Sequence, residues 1–84
     1  MTKDIFLLGS TGSIGETTLN ILQKDKKNFK VKLLTTNSNV NKIYKQAIQF
    51  NVKAIVIFNQ KKYLKSNKKF IKKNIKVFSS IQEF

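Results

Sequence analysis

Seven consecutive residues carry most of the chemistry this chain can offer: Gly9-Ser10-Thr11-Gly12-Ser13-Ile14-Gly15. Glycines at every third position leave the main chain without Cβ atoms, so it can turn sharply and let a ligand approach the backbone closely. If a helix starts where the turn ends, its free N–H groups and the positive end of its dipole favour a phosphate there. Thr11 and Ser13 add hydroxyl donors. The chemistry on offer is therefore the holding of a diphosphate, with Gly15 expected to let the helix pack closely on the preceding strand. The spacing is G-x-x-G-x-x-G, not G-x-G-x-x-G, and a ligand-free glycine turn is the plain alternative. Placement between a first buried strand and an amphipathic helix favours dinucleotide binding.

A second window bears on which dinucleotide. Folds that bind NAD place an acid ~20 residues beyond the glycine turn, on the ribose 2′-hydroxyl. Here that stretch reads Thr35-Thr36-Asn37-Ser38-Asn39, with no acid. A carboxylate would repel a 2′-phosphate. Its absence, with Lys42 and Lys45 a turn further on, favours NADPH. Ser38 and Asn39 can donate hydrogen bonds to ribose and phosphate oxygens. The competing reading is an ordinary polar turn ending in a helix cap.

The elements that must position these residues follow from hydrophobic pattern. Ile5 to Leu8 is a short apolar run that reads as a strand buried on both faces. Ile14, Thr18, Ile21 and Leu22 recur at helical spacing, predicting a helix from about Ser13 to Lys24 with Glu16 in its first turn. Asp25 to Asn28 is a polar loop. Phe29 to Thr35 predicts a second strand, Thr36 to Asn39 a turn with Asn39 as N-cap, and Val40 to Phe50 or Asn51 a second helix. Ala54 to Phe58 is apolar throughout and predicts a third, buried strand. Lys61 to Lys73 reads as an exposed helix anchored by Tyr63, Leu64, Phe70 and Ile71, with a break near Ser66-Asn67. Ile75 to Phe78 predicts a fourth strand. Ser80 and Glu83 have the spacing of a capping box, so a helix is expected to begin at the end of the sequence, as in a truncated domain. The order β-α-β-α-β-α-β predicts an α/β fold: a Rossmann-like, doubly wound parallel sheet, incomplete, with right-handed crossovers.

Composition sets limits. The chain has 84 residues, room for one small domain. It has no cysteine and no histidine, which removes disulfides, the commonest general base and the commonest metal ligands. Its acids, Asp4, Glu16, Asp25 and Glu83, are scattered and suggest neither a carboxylate dyad nor a hard-metal site. Catalysis is thus not expected within these residues. The net charge of +13 raises the question of a nucleic-acid or anionic-membrane partner. All 17 basic residues are lysine, whereas nucleic-acid readers favour arginine. Lysine, asparagine, isoleucine and phenylalanine share A/T-rich codons, and a charge run is usually a solvated face. Neither partner is therefore expected. No apolar run approaches the ~18 residues of a membrane span, and the first strand starts too near Met1 for a leader, so a soluble cytoplasmic protein is expected.

The glycine turn followed by Thr18-Leu19, Phe29-x-Val31-x-Leu33, Asn37-Ser38-Asn39-Val40, Gln46 to Phe50 running into Ala54 to Phe58, and Val77-Phe78-Ser79 together resemble the N-terminal part of the 1-deoxy-D-xylulose 5-phosphate reductoisomerase family. The resemblance covers essentially the whole chain. It implies an NADPH-dependent enzyme of the non-mevalonate isoprenoid route, which isomerises 1-deoxy-D-xylulose 5-phosphate and reduces the product to 2-C-methyl-D-erythritol 4-phosphate. It also implies a divalent metal (Mg²⁺, Mn²⁺ or Co²⁺) in the full-length enzyme, a sugar-phosphate substrate and a homodimer. Carried over by position, Thr11, Gly12, Ser13 and Ile14 fall at the pyrophosphate and neighbouring groups, within a cofactor-binding turn made of Gly9, Ser10, Thr11, Gly12, Ser13, Ile14 and Gly15, and Asn37, Ser38 and Asn39 fall at the adenosine ribose and its 2′-phosphate. Many members have glycine at Asn37 and a cation at Ser38. Asparagine tolerates the left-handed backbone, and Lys42 is the candidate to replace the cation. The family's metal ligands, substrate-phosphate site and lid lie beyond Phe84, so the 84 residues are expected to bind cofactor without turnover. Two alternatives remain at this point: the NADP-binding domain of another oxidoreductase such as a semialdehyde dehydrogenase, and a basic nucleic-acid-binding module.

Overall fold

The computed structural model describes residues 2–84. Strands β1 (Lys3–Leu7), β2 (Phe29–Thr36), β3 (Ala54–Ile57) and β4 (Lys76–Phe78) alternate with helices α1 (Ser13–Gln23), α2 (Val40–Gln49) and α3 (Gln60–Ile71), and a short 3₁₀ turn spans Ile81–Glu83. All neighbouring strands pair in parallel, in the order β1-β2-β3-β4.

Local chemistry sets the helix ends. Asn39 accepts a hydrogen bond from the Lys42 N–H (3.2 Å), and Asn59 accepts from the Lys62 N–H (3.1 Å), so α2 and α3 each begin on a side-chain cap. Both also stop alike. Asn51 and Asn74 adopt left-handed backbone, with φ of 54° and 59°. The next residue turns its N–H back onto the helix: Val52 to the Ala47 carbonyl (2.8 Å) and Ile75 to the Phe70 carbonyl (3.0 Å). These are Schellman closures built on asparagine. Val52 and Ile75 are buried, so each stop also delivers an anchor to the core just before β3 and β4.

Because the strands are added in one direction, the three crossovers place the helices on one face of the sheet. One cluster draws Leu19 from α1, Ile43 and Ala47 from α2 and Phe70 from α3 onto Val31, Leu34, Ile55 and Ile57 of the strands. The expected doubly wound sheet is present as its first, one-sided half. The other face carries Leu33, Ala54, Val56 and Phe78 and, among the described residues, no helix. There the end of the chain folds back, with the Phe84 ring edge-on to Phe6 (5.9 Å) and Phe78 (5.8 Å). A register shift between Ile5 and Phe6 leaves Lys32 as the extra residue of β2, so Leu33 turns to this second face while Val31 and Leu34 stay in the core.

Several expectations change. The first strand is not buried on both faces: Phe6 and Leu8 are exposed, because among the described residues β1 is an edge strand and no helix covers its second face. The inner stripe of α1 is Gly15-Leu19-Leu22, whereas Ile14 and Ile21 face solvent. Close packing of Gly15 sets that rotation. Helix α3 runs through Ser66-Asn67 without a break, the Ser66 hydroxyl donating to the Tyr63 carbonyl one turn back (3.2 Å). Of its four expected anchors, Phe70 is buried and Tyr63 half-buried, while Leu64 and Ile71 are exposed. At the C-terminus the Ser80 hydroxyl donates to the Glu83 carboxylate (3.3 Å), but the helix is only one 3₁₀ turn.

Candidate functional site

The glycine turn leaves the C-terminal end of β1 through Gly9, whose φ of +71° lies where residues with a Cβ are strained. The chain reverses at once, the Gly12 N–H reaching the Gly9 carbonyl (3.2 Å). Helix α1 then starts from Gly12, in extended conformation, with no side-chain cap. It differs in this from α2 and α3. Its first N–H groups are left to whatever binds at the mouth of the turn. Gly15 faces back into the turn. A Cβ there would lie 2.6 Å from Ser10 Cα and 2.7 Å from the Ser10 carbonyl carbon, distances that real Cβ atoms do not show. The glycine thus does what its position suggested, although its close neighbour is the turn itself.

Strand β2 holds the turn from beside it. The Gly9 N–H donates to the Thr35 hydroxyl (2.7 Å), and the Ser10 N–H donates to the Thr35 carbonyl (2.9 Å). The Thr11 and Thr36 hydroxyls share a hydrogen bond (2.8 Å), and the Asn39 N–H donates to the same Thr36 oxygen (3.2 Å). The glycine turn and the Asn37-Ser38-Asn39 turn are therefore joined at the carboxyl ends of adjacent parallel strands, where open α/β sheets bind ligands. The Phe58 and Asn59 N–H groups extend the rim by donating to the Thr36 (3.1 Å) and Asn37 (2.8 Å) carbonyls.

The expected site residues are not equivalent once placed. Gly9, Gly12, Ser13 and Ile14 are exposed along the turn, and Thr11 is half-buried. Ser10 is wholly buried, its hydroxyl donating inward to Gln46 Oε1 (2.8 Å), so its side chain cannot face a ligand. Asn37, Ser38 and Asn39 are exposed, but the Asn39 side-chain oxygen is engaged in capping α2. Lys42 forms an ion pair with Glu16 across α1 and α2, which draws it towards the first helix. Lys45 remains exposed. A groove of about 430 Å³ between α1 and α2 meets the glycine turn only at Ser13.

Three residues that organise this region were not picked out from the sequence as site residues: Thr35, Thr36 and Gln46. A signal was present. Thr35-Thr36 follows directly on the apolar pair Leu33-Leu34, and Gln46 interrupts the inner stripe of α2 between Ile43 and Ala47. A polar residue at an apolar position needs a buried partner.

Fold and turn together define a Rossmann-like α/β domain with a glycine turn after its first strand. The chain matches the 1-deoxy-D-xylulose 5-phosphate reductoisomerase family over residues 5–83, and it belongs to that family. It is 42% identical over 78 residues to the enzyme of that name from Pelagibacter ubique, covering 93% of this chain and 20% of the relative. It is 46% identical over 63 residues to the Porphyromonas gingivalis enzyme, covering 75% of this chain and 16% of the relative. Among solved structures, the Zymomonas mobilis reductoisomerase in complex with NADPH superposes with a TM-score of 0.86 at 27% identity, over 93% of this chain and 21% of that one. A reductoisomerase in complex with NADPH, fosmidomycin and magnesium gives a TM-score of 0.86 at 25% identity, over 96% of this chain and 20% of that one. The chain thus spans about a fifth of the length of relatives that align along most of it. Among the described residues, no helix is long and apolar enough to cross a membrane.

Proposed function

We propose that this chain is the NADPH-binding portion of a 1-deoxy-D-xylulose 5-phosphate reductoisomerase. The observation that carries the reading is the uncapped start of α1 above a turn whose Gly15 admits no side chain. Such a place suits a diphosphate, because free N–H groups and the helix dipole both favour negative charge. Exposed backbone from Thr11 to Ile14 would hold the pyrophosphate, with the Ser13 hydroxyl as a further donor. Ser10 is assigned to the turn's support in place of ligand contact. The acid-free Asn37-Ser38-Asn39 turn would take the adenosine ribose and its 2′-phosphate. When bound, NADPH supplies a hydride for reduction. The chain's own part is to hold and orient the dinucleotide.

The residues do not fit the divalent metal expected of the complete enzyme. Among the described residues, no three His, Cys, Asp or Glu side chains come together as a ligand set. Metal binding and substrate capture are thus assigned to parts of the enzyme outside this chain. The complete protein would convert a sugar phosphate as a cytoplasmic homodimer, with no nucleic-acid or membrane partner.

Calorimetric titration of the folded protein with NADPH and NADH tests the reading. Saturable heat with NADPH, and weaker binding of NADH, is expected. Folded protein that gives no heat with NADPH overturns it. Turnover by the 84 residues alone, with 1-deoxy-D-xylulose 5-phosphate, NADPH and Mn²⁺, would overturn the assignment of chemistry to other parts of the enzyme.

A further inference from the structure

We infer that Gln46 is a positioning residue for the phosphate turn and that Ser10 is the group it holds. Gln46 lies on α2, 36 residues along the chain from Ser10, and is nearly buried. Two reciprocal bonds join the pair. The Ser10 hydroxyl donates to Gln46 Oε1 (2.8 Å), and Gln46 Nε2 donates to the Ser10 carbonyl (2.9 Å). The amide has only one workable orientation. A main-chain carbonyl can only accept, so the NH₂ group must face it, which leaves Oε1 for the hydroxyl.

The consequence for the turn comes from peptide geometry. The chain has no cis peptide among the described residues, so the Ser10 carbonyl and the Thr11 N–H point in opposite directions across one planar unit. Fixing the carbonyl on Gln46 therefore aims the Thr11 N–H away from α2. On the β2 side, the Ser10 N–H is fixed on the Thr35 carbonyl (2.9 Å). With both flanking peptides held, the segment between Gly9 and Gly12 is set before any ligand arrives. A pre-set donor avoids the ordering cost that a loose loop would meet on binding. Both side-chain polar atoms of Gln46 are taken up by Ser10. Its effect passes through Ser10.

This inference rests on the NADPH reading, and the experiment separates the two. Gln46→Leu removes both bonds at similar volume, and Ser10→Ala removes only the hydroxyl. Amide hydrogen exchange of Thr11 to Gly15 is measured without ligand, NADPH affinity by calorimetry, and adenosine 2′-monophosphate affinity by NMR titration. That nucleotide has no 5′-phosphate and so does not use the glycine turn. Both variants are expected to exchange faster in the turn, and Gln46→Leu to bind NADPH about tenfold more weakly, equivalent to about 1.4 kcal/mol, with adenosine 2′-monophosphate unchanged. General destabilisation would weaken both ligands alike, and that result overturns the inference. Wild-type exchange in the turn together with wild-type NADPH affinity also overturns it. If Gln46→Leu does not fold, Gln46→Met, which also removes both bonds at similar volume, carries the same comparison. If the unsubstituted protein ignores NADPH, the cofactor reading falls, and exchange in the turn still decides whether Gln46 positions it.

Discussion

Gly15→Ala tests the site where backbone meets backbone. The added carbon would sit 2.6 and 2.7 Å from two main-chain atoms of Ser10, where carbon atoms at rest keep about 3.5–4.0 Å. Neither atom can swing aside, because Ser10 is held through its N–H by Thr35 and through its carbonyl by Gln46. Forced overpacking of this kind costs about 1–3 kcal/mol. Alanine would return up to about 1 kcal/mol as a better helix former. The balance is a loss of about 1 kcal/mol, and at about 4–8 °C per kcal/mol for a domain of this size the melting temperature should fall by about 6 °C. Thermal unfolding followed by circular dichroism reads it directly. Gly12→Ala is the comparison, since its Cβ would meet nothing nearer than the Gly9 carbonyl oxygen at 3.6 Å. It should lose only the modest amount due to a poorer N-cap. If Gly15→Ala melts at or above the unsubstituted protein, helix propensity outweighs the contact and the reasoning about the turn is wrong.

Three further outcomes are expected. Gly12→Asp gives α1 the side-chain cap it lacks, so stability rises by about 0.5 kcal/mol, while NADPH binding weakens at least tenfold; higher stability with undiminished binding would argue against phosphate at that helix start. Ser38→Asp puts a carboxylate in the acid-free turn, and calorimetry should show a loss for NADPH that NADH does not share. Glu16→Gln releases Lys42 from its ion pair. If Lys42 serves the 2′-phosphate, NADPH affinity rises a few-fold at low salt and the gain fades as salt is added; no gain removes Lys42 from that role.

Much of the architecture was legible because two periodicities are clean. The run from Ala54 to Phe58 read as a buried strand and is one as far as Ile57, Phe58 lying exposed beyond its end, and Asn39 before Val40 marked a helix start that the hydrogen bond to Lys42 bears out. The face of α1 was harder to read. Ile14 and Ile21 looked like its inner stripe, yet Gly15, with no side chain, is the residue pressed inward, and an apolarity pattern gives a glycine no weight. Burial of β1 was misjudged because a hydrophobic run does not say whether it is central or at an edge. The Lys32 bulge was also invisible, since alternation in β2 slips by one residue without any break in composition. At the site, the glycine turn stood out because its demand is local. The Thr35, Thr36 and Gln46 supports did not, because each needs a partner at least 25 residues away in sequence.

The helix-free side of the sheet has a colloidal consequence. In these 84 residues taken alone, an open β1 edge beside Phe6, and the Phe6 and Phe84 rings left half exposed against each other, would template association between copies of a neutral chain. A charge of +13 on so small a body opposes that encounter by mutual repulsion. Such repulsion reaches only about 10 Å in 0.1 M salt and about 3 Å in 1 M. Ionic strength, more than temperature, should therefore govern whether these molecules stay apart in solution.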